Sequence, residues 1–132
     1  MAKILIADDH RANRDALTAL LEVAGHYVLS ANDGHQALNL AREHQPELVI
    51  SDVLMPHMDG YELARRLRAD PRSRAMRLIA LTGYGREPDR RRSAQAGFDE
   101  HFVKPVVVDR LLELLAQPAR RERLGRSAGL TP

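Results

Sequence analysis

The sequence predicts an α/β fold, a three-layer α/β/α sandwich around a five-stranded parallel sheet. Two observations predict it. Five short runs of Ile, Leu, Val and Ala recur along the chain, at Ile4–Ala7, Tyr27–Ala31, Leu48–Ile50, Leu78–Leu81 and Phe102–Val103. Their near-continuous apolar character, rather than strict alternation, is that of strands covered on both faces. After each run comes a segment with helical spacing, so the element order is βαβαβαβαβα, joined by right-handed crossovers.

Each element has its own signal. The first run ends at Asp8-Asp9. Leu17, Leu20, Leu21 and Ala24 then fall at i, i+3, i+4 and i+7, one helical stripe, with Gly25 as its stop. Beyond the second run, Asp33-Gly34 introduces a weaker stripe of Ala37, Leu38 and Ala41. The third run leads to Asp52, and Asp59-Gly60 precedes Leu63, Ala64 and Leu67, with Pro71 just past the helix end. The fourth run leads to Thr82. Pro88 suits the first turn of a helix over Asp89–Ala96, closed by Gly97. The fifth run is the shortest and leads to Lys104, and Leu111, Leu112 and Leu115 form the last stripe.

The 132 residues suit one domain with a sizeable core. With 44% apolar and 29% charged residues, no Trp and few aromatics, the core must be aliphatic and the chain globular. Absence of Cys excludes a disulfide framework and thiolate metal sites. Nothing at the N-terminus reads as a signal peptide, and no run approaches the roughly 20 apolar residues of a membrane span, so a cytoplasmic protein without membrane insertion is expected. The formal charge of +2 is unevenly placed. Arg120, Arg121, Arg123 and Arg126 against Glu122 give a local +3, which leaves −1 for the body. The expected division is a folded domain over 1–117 and a basic, flexible tail over 118–132. That segment is too short for a DNA-binding output domain, and no direct nucleic-acid contact is expected.

Chemistry collects where the strands end. In a parallel sheet all carboxyl ends point one way, and ligands bind there, at the switch point of the strand order. Asp8, Asp9, Asp52, Thr82 and Lys104 therefore converge, although distant in sequence. A single Asp after a strand is usually a turn former or helix cap, and a lone Thr or Lys there is equally unremarkable. Four strand ends out of five carrying a mutually useful set point to function. Two carboxylates about 4 Å apart repel by roughly 4 kcal/mol at an effective dielectric near 20. Three must attract a cation or take up protons. An all-oxygen donor set favours a hard divalent ion, Mg²⁺ above all. A carboxylate beside Mg²⁺, an ammonium and a hydroxyl is equipped for phosphoryl transfer.

With these residues in hand, the chain resembles response-regulator receiver domains of two-component signalling. The resemblance runs over about residues 3–116, through Asp8-Asp9, Asp52 in "DVLMPHMDG", Thr82 in "ALTGY" and Lys104-Pro105 in "FVKPV". It implies a flavodoxin-like sheet of order 2-1-3-4-5. It implies Asp52 as phosphoacceptor, and Mg²⁺ held by Asp9, Asp52 and the backbone carbonyl of Leu54, with Asp8 acting through water. Lys104 would pair with Asp52 and then with the phosphoryl group, Thr82 would bond a phosphoryl oxygen, and the Lys104-Pro105 bond would be cis. The implied donor is a histidine kinase or histidine phosphotransfer protein. The segment "DDHRANRD" is most similar to receivers attached to hybrid histidine kinases. A stand-alone regulator is the alternative setting, as a monomer or a weak dimer through the fourth helix, fifth strand and last helix.

Some positions depart from the family pattern. Where an aromatic switch residue is common, the chain has His101, which is either a surface residue or a switch that titrates between about pH 5 and 8. Leu54 and Tyr84 flank the path of attacking water in receivers, and neither carries a carboxylate or amide to position it. Slow self-dephosphorylation is therefore expected. The six His, at 10, 26, 35, 44, 57 and 101, show no paired ligand spacing and read mostly as surface residues. Arg90-Arg91-Arg92 reads as a solvated helix face, with an acidic partner as its alternative use. Three competitors are weaker. A haloacid-dehalogenase-type phosphatase would want Asp-x-Asp after the first strand, not Asp8-Asp9-His10. A flavodoxin-like cofactor binder would want a Ser/Thr/Gly-rich phosphate loop there. A degenerate receiver would not keep the full set.

Overall fold

The computed structural model describes residues 1–83 and 85–117. Ten elements alternate along it: β1 (Lys3–Ala7), α1 (Arg11–Val23), β2 (Tyr27–Ala31), α2 (Gly34–His44), β3 (Leu48–Asp52), α3 (Gly60–Ala69), β4 (Arg77–Thr82), α4 (Glu87–Ala96), β5 (Glu100–Val103) and α5 (Val108–Ala116). The sheet is wholly parallel in the order β2-β1-β3-β4-β5. The expected fold class and strand order are both present, and the Lys104-Pro105 bond is cis. The basic segment 118–132 and Tyr84 lie outside the described residues.

Successive strand residues point to opposite faces, and the core divides accordingly. Leu5, Ala7, Val49, Leu78 and Ala80 pack with Ala37, Leu38 and Ala41 of α2, Leu63, Ala64 and Leu67 of α3, and Ala96 of α4. Ile4, Ile6, Leu48, Ile50, Ile79 and Leu81 pack on the other side with Leu17 and Leu21 of α1 and Leu111 and Leu114 of α5. Each fully buried Leu or Ile contributes about 1.5–3 kcal/mol, so neither layer is dispensable. Helix starts and stops follow the sequence signals. Asp33 and Asp59 cap α2 and α3, accepting from the N–H of Gln36 at 2.8 Å and of Glu62 at 2.9 Å. Gly25 (φ 97°) and Gly97 (φ 116°) take the left-handed turn that ends α1 and α4, a conformation that costs other residues more.

Three elements differ from expectation. The α1 stripe is narrower, for Leu20 is 47% exposed and Ala24 is exposed. Leu20 faces a groove of about 420 Å³ between α1 and the segment that enters α5. Strand β5 starts at Glu100, two residues before its apolar run. Its pairing with β4, Ile79↔Glu100 and Ala80↔His101, holds residues that no hydrophobic signal marks, because an edge strand is only half covered. Helix α4 begins at Glu87 rather than Asp89 and buries only Ser93 and Ala96. Arg90, Arg91 and Arg92 lie on its exposed side as expected, but the Arg92 guanidinium also stacks 4.2 Å from the centroid of the Tyr61 ring.

Away from the strand ends that carry the acidic residues, Arg68 of α3 joins four segments. Its Nε donates to the carbonyl of Gly97 at 2.9 Å, its Nη1 to those of Arg74 and Met76 at 2.6 Å each, and its Nη2 to Asp99 Oδ2 at 2.8 Å. The same Asp99 oxygen accepts from the N–H of Leu78 at 2.9 Å, which ties the start of β4 into the cluster.

Candidate functional site

The acidic residues sit where β1 and β3 run out. Asp8 follows β1, and its N–H still donates to Ala31 of β2 at 3.1 Å. Its carboxylate is buried and accepts from the N–H of His10 at 2.9 Å, while Arg14 Nη1 donates to its carbonyl at 2.8 Å. Asp52 is the last residue of β3 and is 4% exposed. One of its oxygens accepts from the N–H of Leu54 at 3.1 Å and the other from Lys104 Nζ at 2.8 Å. Lys104 Nζ also lies 3.7 Å from Asp8 Oδ2, so a single ammonium bridges the two buried carboxylates. The backbone N–H of Lys104 donates to the carbonyl of Thr82 at 2.8 Å, fixing the lysine beside the end of β4. Gly60 is required here. A Cβ on it would strike the Asp52 carbonyl oxygen and approach the Val53 Cα to 2.8 Å, pushing the start of α3 off the acceptor strand.

Burial alone would depress the Lys104 pKa, yet the hydrogen bond to Asp52 and the charges of Asp52 and Asp8 outweigh it and hold the ammonium above the usual lysine value. The stability this pairing adds is therefore complete below about pH 10.5 and lost as pH rises through the folded-state value. Without divalent ions, the stability gap between the wild type and Lys104→Met is expected to be constant at neutral pH and to narrow above about pH 10.5, as read by urea denaturation across an alkaline series.

One ligand atom from each of Asp8, Asp9, His10 and Asp52 lies within 4.8 Å of the others. A single Lys cannot neutralise three clustered carboxylates, and an oxygen-rich donor set that is open at Asp9 fits a divalent cation. Asp8, Asp9, Asp52 and Lys104 are thus together, and Thr82, buried at the end of β4, is tied to them through the backbone bond from Lys104. The Leu54 side chain is 62% exposed. His101 is apart, on β5, with Nδ1 2.9 Å from Ser93 Oγ of α4. His10 is the member of the cluster that histidine spacing does not mark; its signal is direct adjacency to the acidic pair.

Comparison with known proteins decides the family. The model of the response regulator receiver domain matches residues 4–116. The chain belongs to the response regulator receiver domain family. Among relatives, Protein PilH of Pseudomonas aeruginosa is 36% identical over 87% of this chain and 95% of its own. Among solved structures, chemotaxis protein CheY4 of Vibrio cholerae superposes with a TM-score of 0.82, at 31% identity over 87% of this chain and 96% of that one. The receiver domain of a sensor histidine kinase from Pseudomonas aeruginosa was solved with a magnesium ion coordinated in its active-site cleft. It superposes with a TM-score of 0.80, at 31% identity over 86% of this receiver and 93% of that one. No helix among the described residues is long and apolar enough to cross a membrane.

Proposed function

We propose that this receiver takes a phosphoryl group from a phosphohistidine donor, a histidine kinase or a phosphotransfer protein, onto Asp52, and thereby changes its hold on a partner. The observation that carries the reading is Lys104 Nζ, 2.8 Å from Asp52 Oδ2 and 3.7 Å from Asp8 Oδ2 at the mouth of an acidic pocket. Asp9, Asp52 and the Leu54 carbonyl would hold Mg²⁺, with Asp8 acting through water. When bound, the ion supplies positive charge to the phosphoryl oxygens. A carboxylate oxygen of Asp52 attacks phosphorus as the P–N bond to the donor imidazole breaks, and the donor nitrogen keeps the electron pair and takes a proton. Lys104 then exchanges its bond to Asp52 for one to a phosphoryl oxygen, and Thr82 donates its hydroxyl to another. A shift from about 1% to 99% active requires near 5.5 kcal/mol of preference for the phosphorylated arrangement, and these new contacts are its source.

Incubation with acetyl phosphate and Mg²⁺ tests this. A phosphoacceptor gains a single acid-stable, base-labile group, whereas a phosphatase with an aspartyl nucleophile would release phosphate in many turnovers. A second reading, that the receiver works within a hybrid histidine kinase, rests on its likeness to the sensor-kinase receiver described above, a likeness that PilH and CheY4, each covered over 95% or more of its own length, match or exceed.

The lifetime of the group is set by access of water. Leu54 presents a bulky, exposed apolar side chain beside Asp52 and offers nothing to orient a nucleophile. Leu54→Asn is expected to speed loss of label about tenfold, less than the roughly 10²–10⁴-fold of a positioned general base because an amide orients water without taking its proton, as followed by intact-mass decay. An unchanged rate would contradict shielding by Leu54. Tyr84, the other flank, lies outside the described residues.

His101 is proposed as the switch residue. Its bond to Ser93 couples β5 to α4, and rotation of the ring must break it. With His101→Tyr, labelling is expected to proceed at the wild-type rate while the difference in partner affinity between phosphorylated and unphosphorylated forms changes. Partner affinities equal to those of the wild type in both phosphorylation states would remove the role.

A further inference from the structure

The imidazole of His10 is not an ordinary surface group. Its Nδ1 lies 3.2 Å from Asp9 Oδ1 and 3.5 Å from Asp8 Oδ1, and it belongs to the set whose ligand atoms, Asp52 included, are all within 4.8 Å of one another. Around an octahedral ion with bonds of about 2.1 Å, adjacent ligands are about 3.0 Å apart and opposite ones about 4.2 Å. The separation from Asp9 is that of a neighbouring ligand opened by a few tenths of an ångström, and Asp8, which acts through water, stands a little further off. No packing directs the ring, since its side chain is 68% exposed. Local backbone does. His10 stands at the N-cap of α1 in extended conformation, and its own N–H is held by Asp8 Oδ1 at 2.9 Å, which turns the residue over the acidic pair.

We propose that His10 Nδ1 is a direct ligand of the divalent ion in this pocket, and that it biases the pocket from Mg²⁺ towards borderline ions such as Mn²⁺ and Co²⁺. This rests on the reading that the pocket holds a divalent cation. Mg²⁺ is a hard ion that prefers oxygen and sheds water reluctantly, so an imidazole in place of one water gains it little. First-row transition ions gain more from nitrogen, increasingly along the series from Mn²⁺ to Co²⁺. Asp8, Asp9 and Asp52 provide the charge that draws in any divalent ion, and His10 then separates one kind from another. The same contacts would also arise from an imidazole that merely donates a hydrogen bond to the acidic pair. Metal preference distinguishes the two.

The test is calorimetric titration of the full chain with Mg²⁺ and with Co²⁺, for the wild type, His10→Ala and Asp9→Asn. It is joined by electron spin-echo measurement of nitrogen coupling to bound Mn²⁺. Removal of His10 is expected to lower the Co²⁺-to-Mg²⁺ affinity ratio about tenfold, the low end of what loss of a ligand-supporting group costs, and to abolish the imidazole nitrogen signal. Asp9→Asn should weaken both ions together. An unchanged ratio, or a nitrogen signal absent from the wild type, overturns the role of His10 while leaving the acidic pocket standing. Co²⁺ held undiminished by Asp9→Asn overturns it too, by placing that ion elsewhere. Failure of the wild type to bind any of the three ions overturns the pocket reading and this inference together.

Discussion

Asp52→Asn is expected to reduce uptake of phosphoryl label from acetyl phosphate from one group per chain to background. The substitution keeps the shape of the side chain and one oxygen, which can accept from Lys104, while the amide nitrogen then faces the N–H of Leu54 and that one hydrogen bond is lost. What it removes is the second anionic oxygen, hence the nucleophile. It also removes one of the carboxylates crowded around Asp8 at the carboxyl end of the sheet. Repulsion there amounts to roughly 4 kcal/mol for a pair 4 Å apart at an effective dielectric near 20, offset in the wild type by the bridging ammonium of Lys104. Stability is therefore expected to change by no more than about 1.5–3 kcal/mol, the scale of one hydrogen bond to a charged group. Loss of label with an intact thermal transition separates lost chemistry from lost structure. Label retained by Asp52→Asn would move the acceptor to another residue.

The opposite pattern is expected of Arg68→Met, which should cost about 3–5 kcal/mol, the usual price of removing one partner from a buried charge pair. Asp99 is 3% exposed and Arg68 only 14%, so water cannot take the guanidinium's place without opening the packing. Methionine fills the stem's volume but donates nothing to the carbonyls of Gly97, Arg74 and Met76. Urea unfolding should show the loss as a lower midpoint at unchanged slope. At low temperature, where the variant remains folded, Asp52 should still accept its phosphoryl group, because the cluster lies away from the pocket. A change below about 1 kcal/mol would show that the Arg68 contacts are not a joint of the fold.

Much of this was legible in the chain, and for identifiable reasons. Strands β1, β3 and β4 are interior to the sheet, so both faces demand apolar residues and the runs at Ile4, Leu48 and Leu78 stand out. The carboxyl ends of a parallel sheet share one rim, which is why Asp8, Asp52 and Lys104 can be placed together from the sequence. The start of edge strand β5 carries no such signal, since Glu100 and His101 owe their conformation to pairing with β4 rather than to burial. Leu20 fitted a helical stripe but not the core, because periodicity gives a direction without saying whether anything lies there. Arg68 carried no signal at all, as its partners are backbone carbonyls and one Asp 31 residues away. His10 was visible only as a neighbour, and its ring position depends on the turn that Asp8 makes with its N–H.

The central claim is that one particular carboxylate becomes an acyl phosphate. Borohydride reduces an aspartyl phosphate to homoserine at the residue that carried it, so peptide sequencing after labelling with acetyl phosphate and Mg²⁺ names the acceptor. Homoserine at position 52, and nowhere else, is the expected result. Homoserine at position 8 or 9, or label that resists borohydride altogether, would contradict it.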